Sequence, residues 1–159
     1  MFTDPVTAWY RGVNWTVYGV TGPVNVETLV DTGCKRCLIQ YDLAKALGLD
    51  KYPVTNGGYD FYGFGDGYEK IVWWTNVDIE CPIIELGRVS EQVLLVQDKK
   101  MPDILIGSSF ISKHDIDLKL AVARRHYGVN LPIRVCSMTS SDQIIGPIYA
   151  GESKRMSLC

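Results

Sequence analysis

The sequence predicts a mainly β fold. Two stretches, residues 24–30 and 71–79, alternate apolar and polar side chains as half-buried strands do. Glycine occurs 15 times and tyrosine 9 times among 159 residues, a composition typical of strands joined by tight turns. Only one segment, residues 41–49, has the clear pattern of a helix.

The first third of the chain predicts short elements, from its aromatic and β-branched runs and the turn residues between them. We expect an arm at residues 1–8, then one or two strands at 9–20 that are interrupted near Gly12. A turn at 21–23 leads to a strand at 24–31, and a short strand or bend follows at 34–39. A helix follows, because Leu43 and Leu47 share a face, Asp42 can cap its start and Gly48 can end it.

The middle of the chain predicts a long β-hairpin with strands at residues 59–64 and 69–80 and a glycine-rich tip at 65–67. Its second strand should bury one face and expose the other, since apolar residues alternate there with Asn76, Asp78 and Glu80. Further along we expect two strands, at residues 92–96 and 103–107, and a helical turn at 108–112. Another strand is expected at 116–120 and a last possible strand at 132–135.

Composition excludes several functional classes. The formal net charge is -2, which does not favour nucleic acid or an anionic membrane as a partner. No apolar run is long enough to cross a bilayer, and the N-terminus has no signal-peptide pattern. Five cysteines are an odd number, and without a secretory signal we interpret them as reduced thiols in an intracellular setting.

The tripeptide Asp31-Thr32-Gly33 is the strongest candidate for chemistry. A strand that delivers it into a tight turn can hold a carboxylate rigidly at an open end. The threonine hydroxyl can lock the turn, and the glycine permits positive φ or close approach of another chain. Alone, the same residues are also typical of an ordinary strand-to-turn transition.

The order of motifs resembles the retropepsin-like aspartic proteases of retroviruses, plant pararetroviruses and LTR retrotransposons. It consists of Asp-Thr-Gly, a short helix, a glycine-tipped hairpin and the apolar run 102–110, and it covers about residues 10–122. The resemblance implies a closed β-barrel with one short helix after the active-site turn and one helical turn near the end of the core. It also implies a protease domain at 1–122 and an extension at 123–159, which can supply an interface strand and a polyprotein tail.

The resemblance also implies roles for particular residues. Asp31 would hold the catalytic water, Thr32 would brace two such turns across a dimer, and Gly33 would let the carboxylates approach. The hairpin would form a flap over substrate, and the apolar strand 104–107 would pack behind the turn. The residues expected to contact substrate are Gly63, Phe64, Gly65, Asp66, Gly67, Ile104 and Ile106.

Amide hydrolysis by carboxylates needs two of them sharing a proton. Two like charges roughly 3 Å apart cannot both ionise, so the pair titrates as a unit. The chain contains one Asp-Thr-Gly, so we expect the second carboxylate to be Asp31 of a symmetry-related copy. The resemblance further implies that segments near the chain ends pair as strands at the dimer interface, and the candidates here are residues 1–10 and the segment 131–135.

The sequence departs from the family pattern in three ways. Cys34 stands where Ala or Ser is usual, Ser109 stands where Asp or Asn is common, and the chain continues beyond residue 122. Cys34 and Cys37 have the spacing of half a zinc site, but no second pair completes it, so we expect no metal and no cofactor. Cys34 could instead make the turn redox-sensitive.

Other groups have a functional and a structural interpretation. A histidine could act with a cysteine nucleophile, although His114 and His126 fit surface positions better. Asp66 could be a second carboxylate but fits a turn residue. The hairpin aromatics could line a cleft or simply pack; they are Tyr59, Phe61, Tyr62, Phe64, Trp73 and Trp74.

The sequence thus predicts a homodimeric aspartic endopeptidase that cuts extended peptides. The expected substrate is the viral or retrotransposon polyprotein that contains it, in the host cytoplasm or within virus-like particles. One alternative is a non-catalytic module of the same fold that dimerises or binds peptides. A weaker one is a metal-binding β-domain that uses the cysteines.

Overall fold

A computed structural model describes residues 15–63, 67–127 and 156–157. Within these residues the chain forms eleven strands, three α-helices and one 3₁₀ turn, which confirms the mainly β prediction. The strands are β1 Trp15–Gly19, β2 Gly22–Val26, β3 Thr28–Val30, β4 Leu38–Gln40, β5 Tyr52–Pro53, β6 Tyr59–Tyr62, β7 Tyr68–Ile71, β8 Trp73–Cys81, β9 Leu86–Val96, β10 Ile104–Ile106 and β11 Met156–Ser157. The helices are α1 Tyr41–Ala46, α2 Ser108–Lys113 and α3 Ile116–Tyr127, and the 3₁₀ turn is Pro82–Ile84.

Most strands join one mixed sheet in the order β2-β1-β8-β9-β4-β10-β3, with β5 paired to β8. The pairs β3–β10 and β4–β9 are parallel, and the other pairs of this sheet are antiparallel. A smaller sheet has the order β11-β6-β7. The pairings of the described residues form an open path from β2 to β3, so they do not confirm the expected closed barrel.

The strand expected at residues 24–31 is divided at Glu27. Before that residue, β2 pairs with β1 through a turn at Val20 and Thr21, so the turn expected at 21–23 begins earlier and Pro23 lies in an edge strand, where a missing N–H costs least. After it, β3 pairs with β10. The division is fixed by two hydrogen bonds: the Glu27 N–H donates to Asp103 Oδ2 at 3.0 Å, and the Ile104 N–H donates to the Glu27 carbonyl at 3.1 Å.

The second strand of the expected hairpin is also divided, at Val72. β7 pairs with β6 in the small sheet, whereas β8 pairs with β1 and β9 in the large one. The Val72 carbonyl leaves the ladder and accepts the Val54 N–H at 2.9 Å. The alternation predicted for β8 is confirmed, since Thr75, Val77 and Ile79 are buried and Asn76 is exposed.

Helices α1 and α2 occur where they were expected, but the cap of α1 is a different residue. Gln40 is the N-cap of α1, so Asp42 lies in the first turn, where the helix dipole stabilises a carboxylate. Gly107 is the N-cap of α2, and Ser108 is the first residue of that helix.

The strand predicted at residues 116–120 is wrong, because these residues begin α3. Ile116, Leu120 and Ala123 are buried at a spacing of three to four residues, which is the period of a helix. The apolar-polar alternation of the first five residues was too short to distinguish the two periods. The helix crosses the domain boundary expected at residue 122, and that boundary stays a prediction.

The core has two parts, one on each face of the large sheet. One part joins β8, β9 and β10 to the helices, with Ala44, Phe110 and Ile116 among its members. The other joins β3, β4 and β9 to the hairpin through Phe61 and Ile71. Strands β3, β4, β9 and β10 contribute neighbouring residues to opposite parts, so they are buried on both faces, which explains their continuous apolar runs. In the part of the chain that the structure describes, no helix is long and apolar enough to span a membrane.

Candidate active site

Asp31 lies directly after β3, and the backbone holds it there from two sides. Its N–H donates to the Ile106 carbonyl at 2.9 Å, which extends the parallel pairing of β3 with β10. Its own carbonyl accepts the Cys34 N–H at 3.3 Å, and its Oδ1 accepts the Gly33 N–H at 2.9 Å. The carboxylate is therefore fixed within a closed turn.

The Asp31 side chain is buried, with 1% of its surface exposed, whereas the sequence suggested a carboxylate at an open end. Burial of a carboxylate is costly unless hydrogen bonds compensate, and the Gly33 N–H supplies one. Thr32 and Gly33 are half-buried in the same turn. In this single chain the carboxylate is not accessible to a peptide, so any catalysis requires that it be uncovered.

The segment after the turn packs tightly on the start of α2. The Ser108 N–H donates to the Cys34 carbonyl at 2.6 Å, and the Ser109 N–H donates to the Lys35 carbonyl at 3.2 Å. These are helix N–H groups that have no partner within the helix. Because Ser109 acts here through its backbone, its departure from the family pattern does not affect this contact.

Gly107 permits this close packing. A β-carbon at that position would lie 2.6 Å from the carbonyl carbon of Arg36 and 2.8 Å from the Cys34 carbonyl oxygen. Both are backbone atoms, so no side-chain rotation could relieve the clash.

Ile104 and Ile106 were expected to contact substrate, but both have 0% of their surface exposed. They belong to the core of the large sheet. Their strand packs beside β3 as the resemblance implied, so in this chain they support the turn and offer no surface to a peptide.

The hairpin is described up to its tip. The Gly63 N–H donates to the Gly67 carbonyl at 3.2 Å and closes the hairpin. Gly63 is buried and Gly67 is exposed. Phe64, Gly65 and Asp66 lie outside the described residues, so their predicted roles, including Asp66 as a second carboxylate, stay predictions.

A groove of about 620 Å³ lies between the hairpin and the loop after β9. Phe61, Gly63, Tyr68 and Glu69 line it from the hairpin, and Asp98 lines it from the loop. Asp31 is not among the described residues that line it. The groove and the buried carboxylate are therefore separate features of this chain.

Glu69 fastens the hairpin to the loop after β9. Its two carboxylate oxygens accept the Gln97 N–H at 2.9 and 3.0 Å. Burial raises the pKa of Glu69, the backbone hydrogen bonds from Gln97 and Asp98 oppose this, and the negative charge of Asp98 adds to it. No spacing in the sequence indicated this contact.

Arg36 fastens the hairpin to the Asp31 turn. Its Nη1 donates to the Tyr59 hydroxyl at 3.0 Å, and its guanidinium carbon lies 5.7 Å from the centre of the tyrosine ring. The sequence gave no signal for this pair, because the two residues are far apart in the chain and belong to different elements.

The hairpin aromatics divide between the two interpretations that the sequence left open. Phe61 has 1% of its surface exposed and belongs to the core, so it packs. Tyr59, Trp73 and Trp74 are half-buried against the core. Tyr62 is 45% exposed and remains free to contact a ligand.

Three of the described cysteines, Cys34, Cys37 and Cys81, are buried. Burial raises the pKa of Cys37 strongly and that of Cys81 to about 12, so neither favours the reactive thiolate. The Cys34 thiol donates to the Arg36 carbonyl at 3.4 Å, and its burial argues against a redox role. Among the described residues, no three His, Cys, Asp or Glu side chains are grouped so that they could hold a metal ion.

His114 is half-buried and is not a simple surface residue. Its ring lies 4.4 Å from that of Phe110, and burial lowers its pKa, with a further contribution from Lys113. Nε2 has no hydrogen-bond partner among the described residues. The side chain of His126 lies outside what the structure describes.

No family model matches the chain, and no curated protein matches it. Among solved structures, the chain is similar to the retroviral protease-like domain of Ddi1 from Leishmania major. The two are 20% identical, the match covers 68% of this chain and 82% of that one, and the TM-score is 0.45. The identity and the TM-score are both low, so the likeness is remote.

Proposed function

We propose that this chain is one subunit of a homodimeric aspartic endopeptidase of the retropepsin-like kind. The observation that carries the proposal is the turn at Asp31. Its backbone is hydrogen-bonded to the backbone of Ile106 and of Cys34, and its Oδ1 accepts the Gly33 N–H. The carboxylate therefore has one fixed position at the end of a strand. Fixed catalytic groups lower the cost of reaching the reactive geometry.

The mechanism uses two copies of that carboxylate. Asp31 of each subunit meets the other on a two-fold axis, and the pair holds one proton between them. The ionised carboxylate accepts a proton from a water molecule, which attacks the peptide carbonyl carbon, while the protonated carboxyl donates to the carbonyl oxygen, giving a tetrahedral diol. The C–N bond then breaks as the newly protonated carboxyl donates to the nitrogen and the other carboxylate accepts a proton from a diol hydroxyl, which leaves one proton on the pair. Thr32 braces the two turns, and Gly33 leaves room for them to approach.

The hairpin β6–β7 serves as the cover over an extended peptide. Its exposed end at Gly67 and the exposed Tyr62 and Tyr68 rings can contact substrate. The proposed substrate is a viral or retrotransposon polyprotein, cut in the host cytoplasm or in virus-like particles. The charge of the chain gives no reason to add a nucleic acid or a membrane as a partner.

One observation favours a second candidate function. Asp31 is almost completely buried in the single chain, as a structural residue would be. A non-catalytic module that dimerises or binds peptides would need the fold and the turn but not an accessible carboxylate. The two candidates differ in whether dimer formation uncovers Asp31.

Digestion of a peptide library by wild type and Asp31→Asn tests the proposal. Asn keeps the size and the oxygen that accepts the Gly33 N–H, but it cannot share a proton, so we expect cleavage to fall on the order of 10³-fold or more. Asp42→Asn, at an exposed carboxylate in α1, is the matched control and should cleave like wild type. Equal cleavage by Asp31→Asn, with both variants folded, would remove Asp31 from the mechanism, and no cleavage by any form would favour the non-catalytic module.

Dilution tests the shared pair of carboxylates. The sedimentation coefficient and the specific activity are measured over one concentration series, and both should fall together on dilution as dimers dissociate. Activity should be highest at mildly acidic pH, where the pair holds one proton. Full activity in a strictly monomeric fraction would exclude the shared pair.

A further inference from the structure

We propose that the outer edge of β6 is a strand-addition site for an extended peptide, and that the chain's own C-terminal segment β11 occupies part of it as an intramolecular competitor. The inference goes beyond the proposed function, since it applies to an endopeptidase and to a non-catalytic module alike. It starts from the parallel pairing of β11 with β6.

Strand β6 has one edge that is paired along its whole length and one that is paired along half of it. On the inner edge, β7 pairs with all four residues, Tyr59–Tyr62. On the outer edge, β11 pairs with Tyr59 and Asp60, and none of the described strands continues this ladder past Asp60. An open strand edge presents backbone N–H and C=O groups to which another extended segment can bind. The outer edge therefore has room for a strand longer than β11.

The edge is preorganised, because contacts outside the edge hold β6 in place. Phe61 has 1% of its surface exposed and belongs to the core. The Tyr59 hydroxyl accepts Arg36 Nη1 at 3.0 Å, and Asp60 Oδ1 accepts the Tyr68 hydroxyl at 2.6 Å. A peptide that adds to an ordered strand loses its own freedom but does not have to order the protein. Binding at this edge therefore requires no movement of the hairpin.

The strand β11 is too short for its backbone alone to hold it firmly. It has two residues, and each backbone hydrogen bond contributes about 1 kcal/mol net. Parallel pairs are also slightly less stable per residue than antiparallel pairs. Covalent attachment compensates, because it gives the segment an effective concentration of at most on the order of 1 mM at the edge. A free peptide that pairs with all four residues of β6 can therefore displace it.

The register of β11 defines the kind of peptide that fits. The strand runs parallel to β6 and begins opposite Tyr59, so a longer peptide in the same register ends opposite Tyr62. The rings of Tyr62 and Tyr68 are exposed at that end, and their centres lie 5.3 Å apart. Paired residues of neighbouring strands point to the same face, so an apolar residue opposite Tyr62 would contact its ring. The partner is thus an extended peptide, bound mainly by its backbone, with an apolar residue at this position.

Fluorescence anisotropy tests the proposal, with a labelled peptide that has the sequence of residues 151–159, kept under reducing conditions. In the full chain, Met156→Pro combined with Ser157→Pro removes both N–H groups of β11, since proline has none. Met156→Ala combined with Ser157→Ala keeps both N–H groups and is the matched control. A peptide that carries the same two prolines is the control for the probe.

We expect the labelled peptide to bind the double-proline chain about tenfold more tightly than wild type or the double-alanine chain, because the competitor has left the edge. The proline peptide should not bind. In wild type, saturating labelled peptide should slow the hydrogen exchange of the backbone amides of β6, since a longer strand protects more of the edge.

Three outcomes would overturn the inference. Equal affinity for wild type and the double-proline chain, with circular dichroism showing that both are folded, would refute the competition. If the double-proline chain does not fold, wild type decides, and unchanged β6 exchange at saturating peptide would refute the site. Protection of β6 in free wild type that is lost on dilution would place the segment of a second copy on the edge. Cleavage is not measured, so the endopeptidase proposal can fail while this one stands.

Discussion

The Asp31 turn and the hairpin tip both depend on glycine, but under opposite constraints. At Gly107, behind the turn, an added β-carbon would meet backbone atoms of Arg36 and Cys34. At Gly67, at the tip, an added β-carbon would meet nothing within 4 Å. Gly63 is intermediate, because its neighbours there belong to side chains: the carboxyl group of Asp98, which can rotate, and the edge of the buried Phe61 ring, 3.0 Å away.

The difference separates a rigid part from an adjustable part. The turn is assembled from β3, β10 and the start of α2, joined by backbone hydrogen bonds, so it has one arrangement. The hairpin is joined to the rest of the chain partly through side chains, among them Arg36 and Glu69. Each of these contacts rests on one side chain, so each can be lost without breaking the backbone hydrogen bonds of the Asp31 turn.

Gly107→Ala should produce the largest effect on stability. The new methyl group forces β10 and the 34–36 segment apart, so we expect the free energy of unfolding to fall by about 3 kcal/mol or more. Urea denaturation measures it. Gly87→Ala, in β9 with nothing within 4 Å of its β-carbon, is the control and should change stability by less than about 0.5 kcal/mol. Equal stabilities of the two variants would contradict the rigid packing at Gly107.

Gly63→Ala should cost less. Its β-carbon would lie 2.9 Å from Asp98 Cγ, and that side chain can rotate at the expense of its hydrogen bond from the Lys100 N–H. We expect a loss of about 1–2 kcal/mol, the cost of one strained contact and one hydrogen bond. A loss as large as that of Gly107→Ala would show that the hairpin base is as rigid as the turn.

Gly67→Val tests the tip through activity. The position is exposed and open, so the free energy of unfolding should change by less than about 0.5 kcal/mol. A β-branched residue stiffens the tip, so we expect turnover of a cleaved peptide to fall severalfold, on the order of 1 kcal/mol in the barrier. Wild-type turnover in this variant would mean that the hairpin is not a cover.

Glu69→Gln should have the smallest effect, and that effect depends on pH. The raised pKa of Glu69 means that its stabilising contribution is present below the ordinary carboxyl pKa and is lost as pH rises through the raised value. Gln does not titrate, so the stability of the variant relative to wild type should increase from acidic to neutral pH. The change should be less than about 1 kcal/mol, since Glu69 is half-buried and water screens its charge.

Urea denaturation at several pH values measures that trend, and Glu85→Gln, at an exposed carboxylate, is the control. A stability difference that is constant with pH, or that favours wild type as pH rises, would contradict the assigned cause of the shift.

Local patterns in the sequence predicted the elements whose residues alternate strongly, such as β8, and the apolar strand β10 that packs beside the Asp31 turn. They failed where a tertiary contact decided the outcome. The break at Glu27 depends on Asp103, far along the chain, and the helical period of α3 becomes visible only with Ala123. A short window cannot include either signal.

Within the candidate site, the sequence identified Asp31, Thr32 and Gly33 but not their burial. Burial depends on which segments cover the turn, and that is a property of the whole fold. The Arg36–Tyr59 contact was missed for a related reason, because no periodicity relates two residues on separate elements. Such pairs are brought together only by the folded chain.

The parallel pairing of β3 with β10 has a consequence for synthesis on the ribosome. The hydrogen bond at the start of this pairing joins Glu27 to Asp103, which are 76 positions apart in the sequence. Closing a loop over so large a sequence separation is slow. During synthesis Asp31 is therefore made long before β10 and the start of α2, which hold its turn in place. Until residues 103–109 have left the exit tunnel the turn cannot form, so the Asp31 carboxylate reaches its buried, hydrogen-bonded position only late in synthesis.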